Sequence, residues 1–215
     1  KQGFLAHTLK DATVENVDIL ADTFVYDSAP VTSIAYSIRE STISNCKVLL
    51  CSDTVDCYGL SNTIRSSYIK DISVSLDVKD SGRCAGIAEN TASMQKRTKI
   101  VNCSVTGSIT GERCAGLVLK SDAYIKNSTA DVHITVKLDS SLSGAGGIIS
   151  NNRGVVKNCT FTGKITDNGG LDGDCIGGVV AENYRFIRQC ENRGMIKLSA
   201  GSVGGIAGSN SGTIR

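Results

Sequence analysis

Only one proline, Pro30, interrupts the 215 residues, and the only two histidines, His7 and His133, lie far apart. Proline withholds a backbone N–H, so its scarcity leaves hydrogen-bonded strand ladders open as the main architecture. No Cys-x-x-Cys pair accompanies the histidines, which argues against a zinc site. No stretch approaches the roughly 18 apolar residues of a membrane-spanning helix, and no signal peptide is visible. A formal net charge of +2 is too small to imply nucleic acid as a partner. No segment sustains a helical period, while 40% hydrophobic and 20% charged residues describe a folded chain.

What the chain has is internal repetition. Taking the second glycine of each copy as anchor, Gly59, Gly86, Gly116, Gly147, Gly178 and Gly205 recur at steps of 27, 30, 31, 31 and 27 residues. A second mark follows in fixed order. It reads Ile69-Lys70-Asp71-Ile72, Ile100-Val101-Asn102-Cys103, Ile125-Lys126-Asn127-Ser128, Val156-Lys157-Asn158-Cys159 and Ile187-Arg188-Gln189-Cys190, with Ile43-Ser44-Asn45-Cys46 earlier. Units of this length repeated head to tail are the signature of a solenoid. The local period is two, as in Val74-Ser75-Leu76-Asp77-Val78 and Ile134-Thr135-Val136-Lys137-Leu138, which is the alternation of strands with one face buried.

These features predict an all-β, right-handed parallel β-helix of about seven or eight coils, each stacked about 4.8 Å from the next. Gly-Gly pairs are expected where the backbone turns too tightly for a side chain. Asn-x-Gly steps such as Asn152-Arg153-Gly154, Asn192-Arg193-Gly194 and Asn210-Ser211-Gly212 are expected to supply turns at positive φ. Residues 54–215 read as regular coils that stop inside a repeat, as in an excised piece of a longer chain. Residues 1–53, which hold Phe4, Phe24, Tyr26 and Tyr36, read either as degenerate first coils or as an N-terminal cap.

The pattern Gly-Gly-Ile/Val-x-x-x-Asn-x-Gly-x-Ile followed by Asn-Cys, closest at Gly146 to Cys159 and Gly204 to Ile214, resembles the GLUG repeat of bacterial surface proteins. That repeat occurs in IgA1-specific metalloproteases and filamentous-haemagglutinin-like adhesins. The resemblance implies an extracellular or cell-surface β-solenoid and no chemistry of its own.

Candidate surfaces follow from loops and charge columns. The basic loop from Thr91 to Lys99 offers Lys96, Arg97 and Lys99, and a polar loop runs from Asp139 to Ser143. Arg83 and Arg113 hold equivalent positions in successive repeats, with Glu112 alongside, a basic ladder suited to an acidic glycan or protein. The loop Asp167 to Asp174 reads as a solvated turn; the metal its carboxylates would suit is calcium, through Asp167, Asp172 and Asp174. His133 alternates with Val132 and Ile134 and so points outward.

Nine cysteines fall mostly into two rows, Cys57, Cys84 and Cys114 before the anchor, and Cys46, Cys103, Cys159 and Cys190 after the asparagine position. They read first as small buried hydrophobes. Neighbouring rungs would also bring Cys84 to Cys114, or Cys159 to Cys190, within disulfide reach.

Three functions fit a chain of this kind. The first is a non-enzymatic segment of a large bacterial surface or secreted protein, adhesive or stalk-like, binding a host or neighbouring-cell protein or glycan with no cofactor. The second is a polysaccharide-active β-helix, which requires a cleft with at least three converging Asp, Glu, Arg or Lys side chains. Glu89 and Glu182, three coils apart and so about 14 Å, are too distant to serve as its acid pair. The third is a repeat region that recruits substrate for a protease domain elsewhere in a longer parent chain.

Overall fold

A computed structural model describes residues 2–3, 5–23, 30–53, 56–92, 96–137, 144–168, 175–198 and 201–215. These residues form strands and turns with no helix, and every strand pair among them is parallel, so the chain is a β-solenoid as its period predicts.

One coil shows how the sequence makes the turn. After anchor Gly59, Ser61–Arg65 forms a strand of the second sheet, two residues turn the chain, and Tyr68–Lys70 joins the third sheet. Two more residues turn it again into Ser73–Ala85, which crosses the first sheet and delivers Gly86. Among the described residues the second and third sheets each hold eight strands, while the first holds fifteen shorter or longer pieces. The first coils pair in the same register, Ala6–Lys10 with Ala35–Arg39, Thr13–Glu15 with Thr42–Ser44 and Asp18–Thr23 with Lys47–Ser52.

Inward positions are columns of one kind of residue. The centre of each third-sheet strand gives Ile43, Ile69, Ile100, Ile125, Val156 and Ile187, all essentially without solvent exposure. β-Branched side chains suit a pleated, buried surface, and burying each contributes about 1.5–3 kcal/mol. Behind the anchors, Ile34, Leu60, Ile87, Leu117, Ile148 and Val179 make a second such column.

The anchor glycines stand in one column for a steric reason. A Cβ on Gly86 would overlap the carbonyl of Gly116; on Gly116 it would overlap that of Gly147, and on Gly147 that of Gly178. Only Gly205, in the last rung, has open space there.

Positive φ belongs to two other columns, a short one of Asp11, Glu40 and Ser66 before the third-sheet strand and a longer one after it. Asn16, Asn45, Asp71, Asn102, Asn127, Asn158 and Gln189 all take φ between 51° and 57°, the left-handed region that Asn and Asp tolerate best among residues with a side chain. Their side chains also ladder, Asn102 Nδ2 donating to Asp71 Oδ1 and Asn158 Nδ2 to Asn127 Oδ1, each at 3.2 Å.

The Asn-x-Gly steps, by contrast, do not adopt the positive φ expected of them. In each, the asparagine Oδ1 accepts the N–H of the glycine two residues on, Gly154, Gly194 or Gly212, at 3.0, 2.9 and 3.3 Å. The glycine is needed because a Cβ would overlap the carbonyl of the rung beside it, Ala123 for Gly154 and Arg185 for Gly212. Asn152, Asn183 and Asn210 then link rung to rung, Nδ2 to Oδ1, at 2.7 Å each.

Candidate functional site

The third sheet exposes two outward columns. The first reads Tyr68, Lys99, Tyr124, Val155, Phe186 and the second Lys70, Val101, Lys126, Lys157, Arg188. Where Val101 interrupts the second column, Lys99 supplies the cation in the first. Each of five successive rungs therefore carries one positive charge, and neither column holds a carboxylate over these rungs. Arg215, whose N–H donates to Ile187 O, adds a sixth. At about 4.8 Å per rung the six charges extend over about 24 Å. Six of the chain's 23 Lys and Arg residues thus share this face.

No ion pair engages any of these six among the described residues. The guanidinium of Arg188 lies 5.0 Å from the Phe186 ring centre and that of Arg185 at 5.9 Å, cation–π contacts that hold charge over the ring. Beside Lys70, Asp71 sits in the turn and accepts from Asn102.

The basic loop opens onto this same face. Lys96, Arg97 and Lys99 line a groove of about 800 Å³ together with Tyr68, Tyr124 and Lys126. Glu40 also lines it. The loop's residues 93–95 lie outside the described residues, as does the loop from Asp139 to Ser143.

Arg83 and Arg113 are register partners in the first sheet, one rung apart as their repeat positions require. Arg83 is engaged internally, while Arg113 Nε is buried without a hydrogen-bond partner among the described residues. Arg83 Nη1 donates to Glu89 Oε1 at 3.0 Å, Asn62 Nδ2 to Glu89 Oε2 at 2.6 Å, and the Arg83 backbone N–H to Asp56 Oδ1 at 2.8 Å. Burial raises the Asp56 carboxyl above its ordinary range, against the lowering effect of its bond to Arg83.

Outward residues of the first sheet form a second groove, of about 580 Å³, lined by Asp131, His133, Lys164 and Arg193 among others. Gly107, at φ +112°, and Gly163 lie along it, each with neighbouring backbone where a Cβ would go. His133 does face outward, and Nε2 lies 3.4 Å from Thr166 Oγ1. Arg193 pairs with Glu191. Asp167 ends the strand Lys164–Asp167, while Asp172 and Asp174 lie outside the described residues. Among the described residues no group of three His, Cys, Asp or Glu could hold a metal ion.

All nine cysteines are free. Cys57, Cys84 and Cys114 succeed one another in one buried column, and burial raises the Cys57 thiol to about 11. Cys103 is pushed up to about 12 by the same cause. Cys159 and Cys190 are neighbours across one rung, where Glu191 N–H donates to Cys159 O. There a hydrogen bond from Cys159 lowers the more exposed Cys190 from its ordinary 9.0 to about 7.

Compared with family models, curated proteins and solved structures, the chain matches none.

The cation column escaped the reading of single motifs although the signal lay inside the second mark. Lys70, Lys126, Lys157 and Arg188 each stand just before the asparagine position. Their significance is visible only across repeats, once the three-residue strand fixes that position outward.

Proposed function

We propose that the chain is a non-enzymatic β-solenoid segment of a large bacterial surface or secreted protein, adhesive or stalk-like, that engages its partner through the third-sheet face. The observation carrying this reading is one cation in each of five successive rungs, with no ion-pair partner among the described residues. A solenoid supplies an extended surface of this kind without any catalytic group, and exposed charges without partners attract an anionic surface from a distance set by the salt concentration. The GLUG-like motifs support the bacterial surface setting.

Beads coated with the chain should adhere to a carboxylate-bearing surface and not to a neutral one. The variant K126Q/K157Q/R188Q, checked for unchanged β-sheet circular dichroism, should lose most of that adhesion. Equal adhesion by the variant would overturn the reading.

A second reading rests on the first-sheet groove, where Asp131, Lys164 and Arg193 meet the charge requirement for a polysaccharide-active β-helix. Incubation with neutral and acidic polysaccharides distinguishes it: shortening of the polymer, abolished in D131N, would establish cleavage, whereas the binding role leaves chain length unchanged.

A further inference from the structure

We propose that the third-sheet face takes a linear polyuronate, an extended polysaccharide with one carboxylate on each sugar, lying along the solenoid axis. This rests on the binding role assigned to that face above and names the ligand class.

The first match between face and ligand is stoichiometric. The face offers one cation per rung from Lys70 to Arg188, at intervals of about 4.8 Å. A pyranose in an extended chain is of comparable length, so one carboxylate per sugar matches one cation per rung. A heavily sulfated chain would bring more anions than the rungs can pair.

The second concerns the kind of cation. Four of the five are lysines, whose hydrated ammonium groups on flexible stems follow a row of carboxylates without demanding a fixed bidentate geometry. Among the described residues none is paired with a protein carboxylate. Adjacent like charges repel, and an anionic chain laid over them removes that repulsion.

The third is the placing of the aromatics. Tyr68, 39% exposed, and Tyr124 flank Lys99 in the groove beside the basic loop, where their rings offer apolar surface to sugar C–H groups. Phe186 already carries two guanidinium groups, so its ring is poorly placed to stack a nucleobase. With a pI near 8.1 the chain also lacks the strongly basic character expected of a nucleic-acid domain. These features favour an acidic glycan over single-stranded nucleic acid.

The test is calorimetric titration of the whole chain with galacturonate oligomers of two, four and six sugars at low salt. Affinity should rise about 2–5-fold for each added sugar, fall as salt is added, and vanish for the methyl-esterified hexamer. K126Q/K157Q should weaken hexamer binding about tenfold. A hexamer no tighter than the dimer, or equal binding of the ester, overturns the proposal. Tighter binding of oligothymidylate or polyglutamate of equal charge overturns the glycan assignment in favour of nucleic acid or an acidic protein. If no soluble polyanion binds while bead adhesion still depends on Lys126 and Lys157, the ligand class fails and the binding role stands; if adhesion fails too, both fall.

Discussion

The glycine turn and the asparagine turn of each coil stack equally well, yet one depends on a missing side chain and the other on a present one. In the anchor column from Gly59 to Gly178 the next rung's carbonyl occupies the space of a Cβ, so a side chain there would push backbone aside, whereas Ser33 holds the equivalent position one rung before Gly59. In the asparagine column the backbone is left-handed and the side chain bridges rungs, so Asn, Asp or Gln serves. The second turn follows directly after the third-sheet strand and thereby fixes the outward direction of Lys126 and its equivalents. Identity is enforced where backbone meets backbone, and freedom for function lies between.

The largest effect should come from breaking the first turn. Gly116→Ala is expected to destabilise the chain by about 4 kcal/mol or more, because backbone rather than a movable side chain blocks the methyl group. The same substitution at Gly205, where nothing lies within 4 Å, should fall within about 0.5 kcal/mol of the parent in urea unfolding. Comparable losses at both positions would mean the column is not steric in origin.

The second turn should break less severely. Asn127→Ala forces a Cβ without a compensating amide into φ +52° and removes an acceptor from Asn158, at a cost of about 1–2 kcal/mol. Asn127→Gly should recover most of that loss in the same unfolding assay.

Thiol reactivity separates two positions of the cysteine row after this turn. Alkylation of Cys190 in the native chain should rise through about pH 7, while Cys103, pushed up to about 12, stays silent until unfolding. Mass spectrometry of alkylated peptides reads the order directly.

The smallest effect on stability should come from the face between the turns. K126Q/K157Q removes two partly exposed charges with no ion-pair partner among the described residues and should change unfolding free energy by less than about 0.5 kcal/mol, with a slight gain at low salt where the repulsion was strongest. Large destabilisation would show these lysines to be structural.

These contrasts also explain how far the amino-acid sequence could be read. A solenoid with its glycine column follows from spacing alone, because a repeated backbone clash demands the same residue at the same interval. The asparagine row carries its conformation in its residue type. The Asn-x-Gly steps misled because positive φ is the common use of such pairs, whereas here Asn152 caps a turn and Gly154 yields space to Ala123. Arg83 and Arg113 align as their repeat positions require, but the bond from Arg83 to Glu89 spans a corner that no periodicity marks. Lys96, Arg97 and Lys99 could be named as a basic loop; that they wall a groove over Tyr68 and Lys126 required knowing how the strands lie. The groove around Asp131 and Lys164 was hidden for the same reason.

The central claim is that residues far apart in sequence form one cationic face because their rungs are adjacent. Cross-linking of the native chain with a short amine-reactive reagent, followed by peptide mass spectrometry, tests it without substitution. The account predicts abundant Lys99–Lys126 and Lys126–Lys157 links, since these residues occupy neighbouring rungs of one sheet. Links from Lys126 to Lys164 on the first sheet in comparable yield, with Lys126–Lys157 absent, would contradict it.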